Sequence, residues 1–289
     1  MAGCCSPSRD ARGARARSVS AGGSAPPFVT LTGGTFLMGS DDAYAYPTDL
    51  EGPVRAAFVG AFDISVATVT VAEFDAFARA TGYVTDAESF GDSLVAAAAL
   101  PVADASPAVT STPWWRVVRG ASWRRPSGPD SELDARRDVP DHPVTHVSRR
   151  DAWAFCAWSG TTLPTEEQWE FAARGGLEQQ PFPWGAEEDL TRMNTWAGEF
   201  PGFRTDVVLT EPAVSHAPND FGLYNCTGNV WEWTTGTFDA ARRDPRGVIR
   251  GGSHMCHASY CRRYRTSARS GVGDDTSSGH IGFRVVRNS

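Results

Sequence analysis

Arg250-Gly251-Gly252-Ser253-His254-Met255-Cys256-His257-Ala258-Ser259-Tyr260-Cys261-Arg262-Arg263-Tyr264-Arg265-Thr266-Ser267-Ala268-Arg269-Ser270 is the stretch on which the rest of the chain depends. Two cysteines stand five positions apart, with His254 and His257 beside the first. A straight strand would hold them ~16 Å apart and on opposite faces. A helix would set them about 140° apart around its axis. If the two sulfurs cooperate, the chain must turn between them, through His257, Ala258, Ser259 and Tyr260. Three readings stay open on the residues alone. The cysteines form a disulfide or are unrelated core thiols. They build a structural zinc site with the two histidines, at the edge of the usual ligand spacing. Or they form a two-thiolate site for a soft ion such as Cu(I), with room for a third ligand from a substrate.

The 289 residues allow one large domain or two small ones. Hydrophobic residues make up 41%, enough for a core, and no apolar run approaches the length of a membrane span. A formal charge of −7 argues against nucleic acid as a partner. Every basic residue is arginine. Ten Trp and 29 Gly suggest a loop-rich fold pinned by large aromatics. Residues 1–27 read as a disordered tail, rich in Arg, Ala, Ser, Gly and Pro. That tail lacks the apolar segment of a secretory signal. Its Cys4 and Cys5 read as exposed thiols.

Phe28 to Gly39 reads as an opening strand pair turning at Gly33-Gly34, and Phe58 to Val66 as a further strand. Thr70 and Glu73 form a capping box that starts a helix running to about Ala80. Phe74, Phe77 and Ala78 are its buried face, and Gly82 stops it. Residues 84–141 show no clear periodicity and read as long loops. Trp114, Trp115 and Trp123 are expected to pack there. Ser148 caps a second helix, with Asp151 at its third position, an apolar face of Trp153, Ala154 and Ala157, and an end at Gly160. His142 and His146 look like metal candidates by composition, but hydrogen-bonding core histidines are the simpler reading. A third helix follows Thr165 and Gln168, with Glu166 and Glu167 as surface carboxylates at the positive end of its dipole. Trp169, Ala172 and Ala173 face inward, and Gly175 closes it. Gly279 to Val286 reads as a closing strand that pairs near the opening one.

The segment from Gly251 to Ser270 resembles the active-site segment of the formylglycine-generating enzymes, the sulfatase-modifying factors. Gly33-Gly34 to Gly39, Phe90-Gly91-Asp92-Ser93, Pro113-Trp114-Trp115, Gly120 to Trp123, Pro129-Asp130-Ser131, Leu163 to Gly176 and Asn225 to Trp233 resemble the same family. The likeness covers about residues 28–287. It implies one α+β domain, residues 28–289, with much irregular structure and a fold related to C-type lectins. It implies an oxidase that converts the cysteine of a Cys-X-Pro-X-Arg segment, in an unfolded sulfatase polypeptide, to Cα-formylglycine. Cys256 and Cys261 would bind Cu(I). Trp231 and Ser253 would line the oxygen pocket, with O2 as co-substrate and an external thiol as reductant. Asn225, Gly228, Val230 and Glu232 match a family Ca²⁺ site of hard oxygen donors. A second would use Asn194, Thr195, Asp206 and Val208, in a loop shorter and less acidic than the family's.

The chain departs from the family in places. Arg149-Arg150 replaces the usual Trp-Asn. The pair is expected to face away from the pocket for the substrate arginine, or else to favour acid-flanked peptides. Cys156 matches a structural cysteine of secretory relatives, but its partner position near Val285 is not Cys. Another such pair falls on Ala173 and Thr266. With no signal segment, this points to a cytoplasmic protein, expected as a monomer without membrane or nucleic-acid partners. The rival readings are an iron-dependent sulfoxide synthase of the ergothioneine type and a non-catalytic, lectin-like peptide-binding relative. The first needs a three-histidine site, and no His-x-x-x-His-x-Glu segment is evident.

Overall fold

The structure is a computed structural model that describes residues 7–8, 22–23, 25–101, 104–129, 139–202 and 210–288. Most of the expected tail, Asp130 and Ser131, and Asp206 and Val208 lie outside the described residues. Helices and strands mix in one domain, as the α+β reading anticipates. Among the described residues, four small sheets and the helices bury three hydrophobic clusters.

The opening segment gives strands β1 (Phe28–Leu31) and β2 (Gly34–Met38). They do not pair with each other, contrary to the expected hairpin. Two further strands, β3 (Arg55–Val59) and β4 (Phe62–Ser65), take them as partners: β2 pairs with β3 and β1 with β4, both antiparallel. The single strand expected over 58–66 is therefore two, belonging to different sheets. Gly33 explains the link. At φ +71, a Cβ there would stand 2.2 Å from the Val59 carbonyl oxygen, so only glycine lets the chain pass β3 as it crosses from one sheet to the other.

The capping chemistry is realised at each expected helix. Helix α1 (Val71–Thr81) begins with a two-way capping box between Thr70 and Glu73 and ends at Gly82, φ +65. Phe74, Phe77 and Ala78 are buried. The described part of residues 84–141 holds more regular structure than its sequence suggests. Thr85 and Glu88 cap a short helix, α2 (Asp86–Phe90). Strands β5 (Asp92–Ala96), β6 (Ala108–Val109) and β7 (Thr112–Arg119) form a sheet in the order β5-β7-β6. β6 has only two residues, and β5 and β7 lack a strict alternation of buried and exposed positions, so all three read as loop. Trp115 and Trp123 are buried in the core, as expected.

Helix α3 (Arg149–Ser159) has the Ser148–Asp151 capping box and ends at Gly160. Its inward face differs from expectation. Ala152, Phe155, Cys156 and Trp158 are buried with Ala154, whereas Trp153 and Ala157 are exposed. Trp153 instead lies under the Arg149 guanidinium, 4.7 Å from the ring centre. Arg149 and Arg150 are structural. Arg149 donates to the carbonyls of Thr234 and Gly236 and pairs with Asp274, while Arg150 pairs with Asp86. Both guanidinium groups are thus engaged within the domain.

Helix α4 (Glu166–Arg174) follows the Thr165–Gln168 box and buries Trp169, Ala172 and Ala173. Glu166 is not the surface carboxylate that the sequence suggests. It is an internal anchor, held by Arg269 and Arg250, which keep its carboxyl below the usual range against the pull of burial. The last sheet runs β10-β9-β8-β11, from β8 (Trp231–Asp239), β9 (Asp244–Arg250), β10 (Arg269–Val272) and β11 (Ile281–Gly282). The closing strand expected over Gly279–Val286 is split: Ile281–Gly282 joins the β8 sheet as β11, and β12 (Val286–Asn288) pairs with β4. Only the second piece lies near the opening strand, one strand away from β1.

Candidate active site

The cysteine segment leaves β9 at Arg250 and returns in β10 at Arg269, and these two residues pair across the sheet. Gly251 and Gly252 bend it away, both at positive φ. A Cβ on Gly252 would meet the Arg263 carbonyl oxygen at 2.7 Å. The Cys256 N–H then donates to the Ser253 carbonyl, and the Tyr260 and Cys261 N–H groups donate to the His257 carbonyl. This is the turn that cooperation between the sulfurs requires. It brings Cys256 Sγ and Cys261 Sγ to 3.4 Å, both buried. The gap is far longer than the ~2.05 Å of an S–S bond, so the two are not bonded to each other. Cys256 is a free thiol, whereas Cys261 is in a disulfide in this structure, so the pair is available to a metal once Cys261 is reduced.

The arginines after the cysteines do not form a basic surface. Each of the deepest is matched by an acid brought from elsewhere. Arg263 pairs with Asp49, Arg265 with Glu51, and Arg269 with Glu166. Arg262 pairs with Glu188, which also accepts from the Tyr264 hydroxyl at 2.8 Å. These buried pairs fix the segment in one arrangement. Arg263 has a second use that the sequence reading missed: its Nη1 donates toward Cys261 Sγ at 3.7 Å. The doubled Arg262-Arg263 directly after Cys261 was the available signal.

Ser253 and Trp231 join the same neighbourhood. Ser253 is fully buried, and its Oγ lies 3.0 Å from His280 Nδ1. Burial, with His254 and His146 nearby, pushes His280 well below its ordinary value, so it is neutral near pH 7. Trp231 packs in one cluster with Cys256, Cys261 and Tyr264. Its Nε1 is buried and has no acceptor among the described residues. Such an N–H calls for a partner, and a small polar ligand would supply one. Tyr260, inside the turn, stacks on Phe200 at 4.2 Å, and Trp114 meets both edge-on. His146, His254 and His280 do not converge into a ligand set: among the described residues no group of three or more His, Cys, Asp or Glu could hold a metal. His142 and His146 are hydrogen-bonded core residues, to Thr210 and Ser93. Among the described residues, the sulfur pair offers the donor type that Cu(I) prefers.

The remaining cysteines of the domain differ in kind. Burial pushes the Cys156 thiol up to about 12 and the Cys226 thiol up to about 11. Neither is a thiolate near pH 7. Cys156→Ala is expected to leave turnover and metal retention unchanged and to cost about 1 kcal/mol of stability, as a small buried truncation. Denaturant unfolding and an activity assay check this.

The oxygen-rich stretch is also internal. Glu232, at the start of β8, is bound by Arg284 through both oxygens and accepts the Trp169 Nε1–H at 2.7 Å. Asn225 Oδ1 faces Ser215 Oγ, and its Nδ2 donates to the carbonyls of Pro212 and Ala213. Any cation at Asn225, Gly228, Val230 and Glu232 would share the carboxylate with Arg284. Of the second set, Asn194 donates to Asn229 Oδ1 and Thr195 is buried.

Comparison with known proteins agrees with this arrangement. Residues 15–289 match the family model described as the sulfatase-modifying factor enzyme 1-like domain. A formylglycine-generating enzyme of Thermomonospora curvata is 46% identical over 284 residues, covering 89% of this chain and 92% of the relative. An inactive Cα-formylglycine-generating enzyme 2 of Bos taurus is 42% identical over 273 residues, covering 89% and 87%. Overall identity thus barely separates relatives named as active from one named as inactive, which leaves the local chemistry to decide. Among solved structures, PvdO from Pseudomonas aeruginosa superposes at a TM-score of 0.66 and 25% identity, covering 91% of this chain and 95% of its own. From its matched length and its relatives, the chain belongs to the sulfatase-modifying factor, or formylglycine-generating enzyme, family.

Proposed function

We propose that this chain oxidises the cysteine of an extended Cys-X-Pro-X-Arg segment of a sulfatase polypeptide to Cα-formylglycine. O2 is the oxidant, a small thiol the external reductant, and Cu(I) the cofactor, held by the Cys256 and Cys261 sulfurs in the reduced protein. The observation that carries this reading is the convergence of those sulfurs to 3.4 Å, with both residues buried. When bound, Cu(I) would supply the one-electron and oxygen chemistry that side chains lack. The chain's own residues do the rest. Arg263 helps to hold the Cys261 sulfur in place through its Nη1. Ser253 Oγ and His280 Nδ1 share one proton across 3.0 Å, in a place where a charged imidazole is disfavoured. The aromatic wall of Trp114, Phe200 and Tyr260 gives an incoming peptide apolar surface beside the turn. A reducing cytoplasm suits the reading, because Cys156, Cys226 and the sulfur pair then stay as thiols.

The test is a peptide carrying Cys-X-Pro-X-Arg, incubated with reduced, copper-loaded protein, oxygen and a thiol. Mass spectrometry is expected to show the aldehyde, and peptides lacking the proline or the arginine are expected to react more slowly. No aldehyde at any copper level would overturn the proposal.

A further inference from the structure

The chain contains its own copy of the segment it is proposed to modify. Residues 5–9 read Cys5-Ser6-Pro7-Ser8-Arg9, with cysteine, proline and arginine at the three fixed positions of Cys-X-Pro-X-Arg. None of the other five cysteines is followed by proline two residues on and arginine four residues on. With 6 Cys, 19 Pro and 27 Arg in 289 residues, chance would produce the pattern in only about one such chain in thirty. Composition alone reads Cys4 and Cys5 as exposed thiols, because it hides a five-residue pattern.

A second observation is structural. The two described residues of the motif, Pro7 and Ser8, rest on the domain: Pro7 is half-buried, and Ser8 Oγ accepts the Gly273 N–H at 3.1 Å. Gly273 begins the loop after β10. That loop is tied to β5 by a Ser93–Ser277 hydrogen bond and ends at His280, which is bonded to Ser253 in the cysteine site. The loop that takes this contact at its start therefore reaches the candidate active site at its end. Asp274 and Asp275, next in the loop, carry the sign that suits an arginine-bearing peptide, although Arg149 and Arg150 already balance part of their charge. Reach does not forbid an encounter within one chain. Gly22 and Gly23 are fixed by hydrogen bonds to the Trp158 carbonyl. The residues between Cys5 and Gly22 span up to ~60 Å when extended, wider than a domain of this size.

We propose that Cys5 is a modification site of the chain's own activity, converted within the same molecule to formylglycine. This rests on the function proposed above. The step consumes the Cys5 CH2–SH, one O2 and two external thiols. It yields the residue-5 aldehyde, one hydrogen sulfide, one water and one disulfide between the external thiols. A Cβ–H bond and the Cβ–S bond of Cys5 break, and a C=O bond forms. Cys5 gives up two electrons and the external thiols two more, and together they reduce O2 to the level of two waters, one of which is consumed in releasing hydrogen sulfide.

The experiment uses the full chain, reduced and loaded with Cu(I), with oxygen and a small thiol, and a separate Cys-X-Pro-X-Arg peptide in parallel. Proteolytic fragments are read by mass and by hydrazide capture. The aldehyde is expected at Cys5 and not at the adjacent Cys4, which lacks the proline and arginine spacing. The half-time of conversion is expected to be independent of protein concentration. Arg9→Ala and Pro7→Ala are each expected to slow conversion at Cys5 by about tenfold or more, with the separate peptide converted as before. If the peptide is converted while Cys5 stays a thiol, self-modification is overturned and the proposed function stands. Equal conversion at Cys4 and Cys5, or a half-time that shortens as protein concentration rises, also overturns it. Conversion of neither peptide nor tail overturns both.

Discussion

Glu232→Gln is expected to destabilise the domain by about 3–5 kcal/mol, the usual cost of removing one partner of a buried ion pair. The side chains of Glu232 and Arg284 are each only 1% exposed. Arg284 spans Glu232 through Nε and Nη2, and Nη2 also donates to the Tyr224 carbonyl. Glutamine keeps the shape but leaves the guanidinium without its counter-charge. Glu232 also fixes the Trp169 indole, which joins β8 to α4. For a domain of this size the loss corresponds to a Tm lowered by roughly 10 °C. The combined change Glu232→Gln with Arg284→Met is expected to recover part of it, because no charge is then stranded. The same variant separates the ion pair from calcium. If Glu232 also serves a Ca²⁺ site, the Tm of the parent rises with Ca²⁺ and that of the variant does not. A variant as stable as the parent, yet without turnover, would assign Glu232 to acid–base work instead.

Cys256→Ser and Cys261→Ser are each expected to abolish formylglycine formation and stoichiometric Cu(I) retention together. Serine is nearly isosteric, so the turn built on the Ser253 and His257 carbonyls should persist. What is lost is a soft donor, and an alcohol does not replace a thiolate on Cu(I). Unfolding midpoints close to those of the reduced parent would show that the fold is intact. Arg263→Met, by contrast, is a change in positioning. It strips the guanidinium from Cys261 but also strands Asp49, so it should lower stability as well as metal affinity. Turnover that survives Cys261→Ser but not Cys156→Ala would place the site elsewhere in the chain.

How much of this was legible in the sequence follows the range of the interactions. The capping boxes at Thr70, Ser148 and Thr165 and the turn through His257 to Tyr260 depend on residues within a few positions of one another, and each forms as read. Strand pairing does not. β1 and β2 look like a hairpin locally, but Phe28 finds Ser65 and Gly34 finds Val59. Helix faces fail for the same reason. Trp153 is as apolar as Trp158, yet a neighbouring guanidinium covers it while Trp158 joins the core. The acids that hold the site were the least legible of all. Asp49 and Glu51 lie more than two hundred positions from Arg263 and Arg265, and nothing local marks Glu166 as internal. The sulfur pair itself was visible as residues, but its separation of 3.4 Å came only with the fold.

The central claim is that two sulfurs, and not the neighbouring histidines, hold the working metal. Copper K-edge X-ray absorption on the reduced, Cu(I)-loaded protein tests it directly. The expected spectrum is that of low-coordinate Cu(I) with sulfur as its only near neighbours, lost in both Cys256→Ser and Cys261→Ser. A first shell dominated by nitrogen, from His254 or His280, and unchanged in the two serine variants would contradict it.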